Sequence, residues 1–120
     1  MPLQPRALQD ALSPRTLVLQ DSAPQTVSGN TAAIECYGKE LTVTLDVTAA
    51  GGTSPTLDVK LQHSPDGGKW SDLGTAFAQK TGVGREVKTF TQLHGYLRVV
   101  WTIGGTGPSF TFSVEATERL

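Results

Sequence analysis

A chain of 120 residues is sized for one domain, with enough surface to bury a core without disulfide or metal staples. It has one cysteine, Cys36, so no intrachain disulfide can form, and a lone thiol suits a reducing compartment of origin. The net charge of −1, with both signs interspersed, offers neither the basic block of a nucleic-acid binder nor an acidic tail for a basic partner.

The chain opens with MPLQPRALQDALSPR, which carries prolines and charges where a signal peptide needs an apolar run. Pro2, Pro5 and Pro14 predict an extended N-terminal arm over 1–15, with a single helical turn in ALQDAL as the alternative. Such an arm is placed to lie on a neighbouring subunit. No stretch approaches the ~18 consecutive apolar residues of a membrane span. The folded domain is expected over 16–120.

TLVLQ (16–20) is the first predicted strand. DSAPQTVSGN (21–30) is mostly turn residues, and TAAIECY (31–37) reads as a strand. The pattern then sharpens. In LTVTLDVT (41–48) Leu41, Val43, Leu45 and Val47 point one way and Thr42, Thr44, Asp46 and Thr48 the other. In LDVKLQHS (57–64) Leu57, Val59, Leu61 and His63 face in, with Asp58, Lys60, Gln62 and Ser64 facing out. Strict alternation means strands covered on one face, and hence antiparallel sheet. PDGG (65–68) is a turn, because Pro65 presets its φ, Asp66 can bond the backbone ahead and two glycines follow. KWSDL (69–73) returns as a strand, AFAQ (76–79) is short or irregular, TGVGR (81–85) turns, and EVKTFT (86–91) is a further strand. After the turn QLHGY (92–96), YLRVVWTI (96–103) and FTFSVEAT (110–117) are the clearest strands in the chain.

One phrase occurs twice. GGTSPTLDVKLQ (51–62) and GGTGPSFTFSVE (104–115) lie 53 residues apart. Each reads as the turn and returning strand of a hairpin. In the second, Ile103 is expected opposite Phe110, Trp101 opposite Phe112, Val99 opposite Val114 and Leu97 opposite Ala116 on the core face. Arg98 then falls opposite Glu115 and Thr102 opposite Thr111. The first copy cannot repeat that count, since it would set core Val47 against solvent Lys60. Setting Asp46 against Lys60, Val47 against Val59 and Leu45 against Leu61 restores the faces, and predicts a longer loop or bulge near Ala49–Ala50. Short strands spaced by turn signals give an all-β fold, an antiparallel β-sandwich or small jelly roll with an extended N-terminal arm.

No constellation of residues carries chemistry. The GGTSPT and GGTGPS segments resemble anion-binding loops only in glycine content; each leads into a strand rather than a helix, and no lysine follows. His63, His94 and Cys36 have no partners at metal spacing. Nothing supplies Cys36 with a base, and it reads as a small buried residue. Asp58, Asp66, Asp72 and Glu86 make no acid/base pair. The expectation is a protein that is not an enzyme and has no catalytic, cofactor-binding or metal residues and no cofactor. SPDGGKW (64–70) resembles the Asp-box turn of sialidase propellers, one residue short and lacking its Thr. Trp70 beside it is a core or interface residue or, in the alternative, a platform for a sugar ring. The outward threonines Thr42, Thr44, Thr48, Thr102, Thr111 and Thr117 make a polar, uncharged face that can pack on other subunits.

TLDVTAAGGTSPTLDVKLQ, the S-x-D-G-x-x-W turn and the closing YLRVVWTIGGTGPSFTFSV resemble a family of small proteins encoded in tailed-bacteriophage structural gene sets, over residues 15–117. The resemblance implies a virion component, a head decoration (cement) protein that binds and stabilises the assembled capsid. Its implied partners are the phage major capsid protein and copies of itself, a trimer being favoured, with no nucleic acid and no membrane. Its implied location is the capsid surface, after assembly in the host bacterial cytoplasm. The residues offered as partner contacts are Leu3, Pro5, Arg6 and Leu8 of the arm, Pro55 and Pro108 of the repeated phrase, and Trp70. A tail or neck component, and a carbohydrate-binding β-sandwich module using Trp70 or Tyr96, are the competing functions.

Overall fold

The computed structural model describes residues 15–36, 39–91 and 95–119. They form seven strands and no helix: β1 (Arg15–Gln25), β2 (Gly29–Asn30), β3 (Ile34–Glu35), β4 (Glu40–Ser64), β5 (Ser71–Leu73), β6 (Gly84–Thr91) and β7 (Tyr96–Arg119). All pairings between these strands are antiparallel. The fold is an antiparallel β-sandwich of the jelly-roll kind, as the alternation predicts.

The two long strands organise it. β4 and β7 pair with each other from Glu40↔Arg119 to Ser64↔Tyr96, straight through both copies of the repeated phrase. Trp101 and Phe112 stand eleven residues apart on β7, a separation of roughly 36 Å on a straight strand. Yet their rings lie 5.6 Å apart, centroid to centroid, edge to face. The paired ribbon therefore turns over at the repeated phrase, and one continuous ladder makes both layers. In the first layer β1 pairs with 110–118, 112–119 with 40–47, and 40–47 with β6. In the second, β2 and β3 pair with 96–101, 96–104 with 56–64, and 61–63 with β5.

The core lies between the layers. Leu41, Val43, Leu45, Val47, Phe110, Phe112 and Val114 of the first layer face Leu57, Val59, Leu61, Leu97, Val99 and Trp101 of the second in a single buried cluster. Each large side chain hidden there contributes about 1.5–3 kcal/mol relative to exposure. Phe77 caps one side, 6.3 Å edge-to-face from Phe90. The Trp101 indole N–H donates to the Val27 carbonyl at 3.0 Å, so its buried polar atom is satisfied. At the far end Arg15 bridges Glu118 at 2.7 Å, tying the start of β1 to the end of β7.

The two expected hairpins are not formed. Ile103 pairs with Leu57, Trp101 with Val59, Val99 with Leu61 and Leu97 with His63. Phe110 pairs with Ala50, Phe112 with Val47, Val114 with Leu45 and Ala116 with Val43. Arg98 stands beside Gln62, Glu115 beside Thr44 and Val18, Thr102 beside Asp58, and Thr111 beside Ala49 and Pro24. Asp46 neighbours Arg85 and Ser113, while Lys60 neighbours Val100. Alternation fixes which face each side chain takes, but not which strand lies alongside. Both arrangements keep the apolar faces together, so the pattern is blind to the difference.

The register slips between Val47 and Ala49, beside the place where an irregularity was expected, but it slips against β7 and not within the first hairpin, which is not formed. Other boundaries differ from expectation. β1 runs on through DSAPQ, expected as turn, with two register shifts that absorb it. Among the described residues of TAAIECY, 31–36, Ile34–Glu35 are strand. Within 76–80, Phe77 N–H donates to the Val59 carbonyl and Lys80 exchanges two backbone bonds with Leu57. Ser64, expected to face out, is fully buried.

Candidate functional site

The repeated phrase builds one structure, not two. Gly51 pairs with Ser109 and Thr56 with Gly104, with Thr53 opposite Thr106 between them. Adding the repeat offset to Gly51 gives Gly104 and subtracting it from Ser109 gives Thr56, so the crossing has an internal two-fold. The backbone repeats as well. Gly52 has φ +103° and Gly105 +111°, while Ser54 has φ +48° and Gly107 +57°. A Cβ on Gly52 would stand 2.6 Å from the Gly107 carbonyl oxygen, and one on Gly105 would stand 2.8 Å from that of Ser54. Each second glycine thus lets the other copy's x-Pro pass at backbone contact. Pro55 and Pro108 are half-buried at this crossing, and Gly52, Thr53, Ser54, Gly105, Thr106 and Gly107 form its exposed tip.

At the opposite end of the second layer, the Ser64–Trp70 turn is self-contained. Ser64 Oγ accepts from the Gly67 N–H at 2.9 Å and donates to Asp66 Oδ1 at 2.9 Å. That same carboxylate oxygen accepts from the N–H groups of Gly68 and Lys69, both at 2.9 Å. The Lys69 and Gly68 amides, with the Ser64 hydroxyl, hold the Asp66 carboxyl down at about 2. This explains the buried serine: its hydroxyl is the hub of the turn.

Trp70 leaves this turn half-buried, with the Arg98 guanidinium 4.4 Å from its ring centroid. Two nitrogens of Arg98 donate to Gln62 Oε1 at 2.9 and 2.7 Å. Gln62 donates in turn to Asp72 at 3.0 Å, and Lys60 bridges Asp72 at 3.2 Å. The Gln62 amide first, then Lys60, holds the Asp72 carboxyl below the usual carboxylate range. Sequence reasoning missed Arg98 and Gln62, because their meeting depends on β7 lying beside β4. Their common outward parity was the only signal.

Asp58 and Glu86, the other two of the four carboxylates weighed from the sequence, are also engaged. Asp58 accepts from Gln79 at 3.0 Å. Burial pushes Glu86 up, but Lys80 at 2.5 Å, the Ala78 N–H and nearby Lys88 outweigh it, and the net shift is downward. Between the layer edges lies an open cleft of about 490 Å³, lined by His63, Asp72, Leu73, Thr75, Lys88 and Phe90 among others. Among the described residues no group of three or more His, Cys, Asp or Glu side chains could hold a metal ion. Cys36 is buried.

Of the expected contact residues the structure describes Pro55, Pro108 and Trp70. Pro55 and Pro108 meet at the crossing. Trp70 lies towards the other end of the layer, next to Ser71, which pairs with His63, six residues along β4 from Leu57 and roughly 20 Å away. Leu3, Pro5, Arg6 and Leu8 lie outside the described residues, as does His94.

No family model and no curated protein matches the sequence. Solved structures of similar fold include the CBM36-1 domain of a multidomain xylanase from the hindgut metagenome of Trinervitermes trinervoides. It has a TM-score of 0.52 and 7% identity, with 90% of this chain and 98% of that one covered. They also include the SPBc2 prophage-derived protein YomS, with a TM-score of 0.51 and 13% identity, 88% of this chain and 94% of that one covered. At such identities the likeness concerns the fold.

Proposed function

We propose that this protein is a non-enzymatic structural component of a tailed-phage virion, a decoration protein that binds and stabilises the assembled head. The observation that carries the non-enzymatic part is the state of the carboxylates. Asp58, Asp66, Asp72 and Glu86 each hold a structural hydrogen bond. Three of them are held below the usual range, the opposite of what a general acid near neutral pH requires. The virion part is supported by the sequence resemblance over 15–117 and by the fold likeness to a prophage-derived protein. The tip of the crossing and the polar outer faces serve as contact surface, and the major capsid protein is the partner. Co-sedimentation with empty phage heads tests this. At about 1 μM the protein is expected to pellet with heads and to saturate. Protein that stays in the supernatant overturns the reading.

A second reading, a carbohydrate-binding module, draws on the likeness to the CBM36-1 domain and on the open cleft. Against it, the Arg98 guanidinium occupies a face of Trp70 that a sugar ring would need. A glycan array with signal that is lost in Trp70→Ala would favour this second reading.

A further inference from the structure

Sheet edges left open are templates for pairing, and proteins guard them with short strands, bulges, prolines or charges. Among the described residues, three of the four sheet edges are guarded in this way. β1 is broken by two register shifts and carries Pro24. β2 and β3 are two residues each, and β5 is three. β6 differs. Its eight residues, GREVKTFT, contain no proline, and they pair with β4 from Glu40↔Thr91 to Val47↔Gly84 without a register shift. Among the described residues no backbone hydrogen bond reaches its outer edge. Val87 stands 55% exposed at its centre, with Val83 73% exposed just before it. Its guards are three charges, outward Arg85 and inward Glu86 and Lys88, and the chain itself engages the inward two. Lys80 and the Ala78 N–H hold Glu86, and Lys88 donates to the Ala76 carbonyl at 3.3 Å.

We infer that β6 is a self-association edge, and that two copies of this chain pair antiparallel along it about a two-fold at Val87. The sequence of the edge selects both the partner and the register. A two-fold perpendicular to the sheet must place one residue opposite its own copy. Centred on Arg85, Glu86 or Lys88, it opposes like charges. Centred on Val87, it sets Glu86 opposite the second copy's Lys88 and Lys88 opposite its Glu86, with Arg85 opposite Thr89 and the exposed valines side by side. Opposite charges directly across a ladder stabilise it, and like charges destabilise it. The first layers of two copies then form one sheet, and β6 ceases to be an edge. Such a contact is isologous and closes at two copies, so β6 by itself does not build the three-fold assembly that the sequence resemblance implies. The inference stands independently of the virion reading. A ladder of this length is a small interface, of the weak and reversible class.

The test uses the full chain. Sedimentation equilibrium from about 1 μM to about 1 mM is expected to show a monomer–dimer equilibrium. Val87→Lys, a change on an exposed side chain, is expected to weaken it by about tenfold or more, with unchanged thermal unfolding at concentrations where both proteins are monomeric. Independently, Val87→Cys is expected to form an interchain disulfide with its own copy under mild oxidation. Directly opposed residues have Cα atoms about 4.5–5.5 Å apart, within disulfide reach. Val83→Cys, more exposed but opposite Thr91 in this register, is expected to cross-link far less. A monomer at every concentration overturns the inference, as does equal cross-linking at 83 and 87. So does a monomer whose binding to phage heads is lost in Val87→Lys, which would assign the edge to a coat subunit instead.

Discussion

Replacing either second glycine of the repeated phrase with alanine tests how the ribbon turns over. At Gly52 the new methyl group would sit 2.6 Å from the Gly107 carbonyl oxygen and 2.9 Å from Pro108 Cα, all rigid backbone. Its φ of +103° is one that L-residues rarely adopt. A strained dihedral costs about 1–3 kcal/mol, and overpacking adds about 1–3 kcal/mol. Gly52→Ala is therefore expected to destabilise the fold by about 3 kcal/mol or more, and Gly105→Ala by the same, since its Cβ would meet Ser54 O at 2.8 Å. Gly107 is the internal control. It has φ +57° and open space around it, and its counterpart Ser54 already carries a side chain at φ +48°. Gly107→Ala should cost about 1 kcal/mol or less, because alanine also restricts the unfolded chain. Urea unfolding reads the difference. With a slope of about 1.5 kcal/mol/M, the midpoint falls by about 2 M for Gly52 and Gly105, and by under about 0.7 M for Gly107. Equal losses at all three positions would refute the close crossing.

Trp101 and Phe112 meet across the two layers, so a double-mutant cycle of Trp101→Leu and Phe112→Leu should give a coupling of about 0.5–1.5 kcal/mol; additive effects would place the rings apart. Asp66 has a folded pKa of about 2, below its ordinary 3.8. Its stabilising contribution is therefore complete above about pH 4 and is lost as pH falls through about 2. The gap in thermal midpoint between the wild type and Asp66→Asn should narrow over that window; a constant gap would contradict the depressed carboxyl. Trp70→Ala and Arg98→Ala should show a coupling of about 0.5–1 kcal/mol, the range for an exposed cation–π contact, and zero coupling would remove Arg98 from the ring.

Much of the architecture was legible because burial writes itself into period two. Leu41 through Val47, Leu57 through Leu61, Leu97 through Trp101 and Phe110 through Ala116 all took the predicted face. Strand pairing was not legible. Parity is unchanged when one strand is exchanged for another of the same pattern, and here the six residues between Ile103 and Phe110 fit a tight hairpin as well as a turnover. The one-residue mismatch between the repeats was informative even so. It corresponds to the register slip beside Thr48, on β4 only, while the remaining slips obey the two-fold of the crossing. The Ser64 turn was legible as a turn, since Pro65, Asp66 and two glycines announce it. Burial of its serine was not, because that hydroxyl is wanted by the loop ahead rather than by the strand behind. The Trp70–Arg98–Gln62–Asp72 chain was invisible for the same reason as the pairing: it joins residues that only the β4–β7 ladder brings together.

The two copies of the phrase lie against each other and fold one ladder into two layers. A double variant, Thr53→Cys with Thr106→Cys, tests it most directly. The two positions are partners at the centre of the crossing, both are exposed, and directly opposed Cα atoms lie within disulfide reach. Mild oxidation should yield an intrachain disulfide, seen in a non-reduced digest as a cross-linked pair of peptides joining positions 53 and 106, with the domain still folded. Separate hairpins would leave the two thiols unpaired within the chain, and that result would contradict the account.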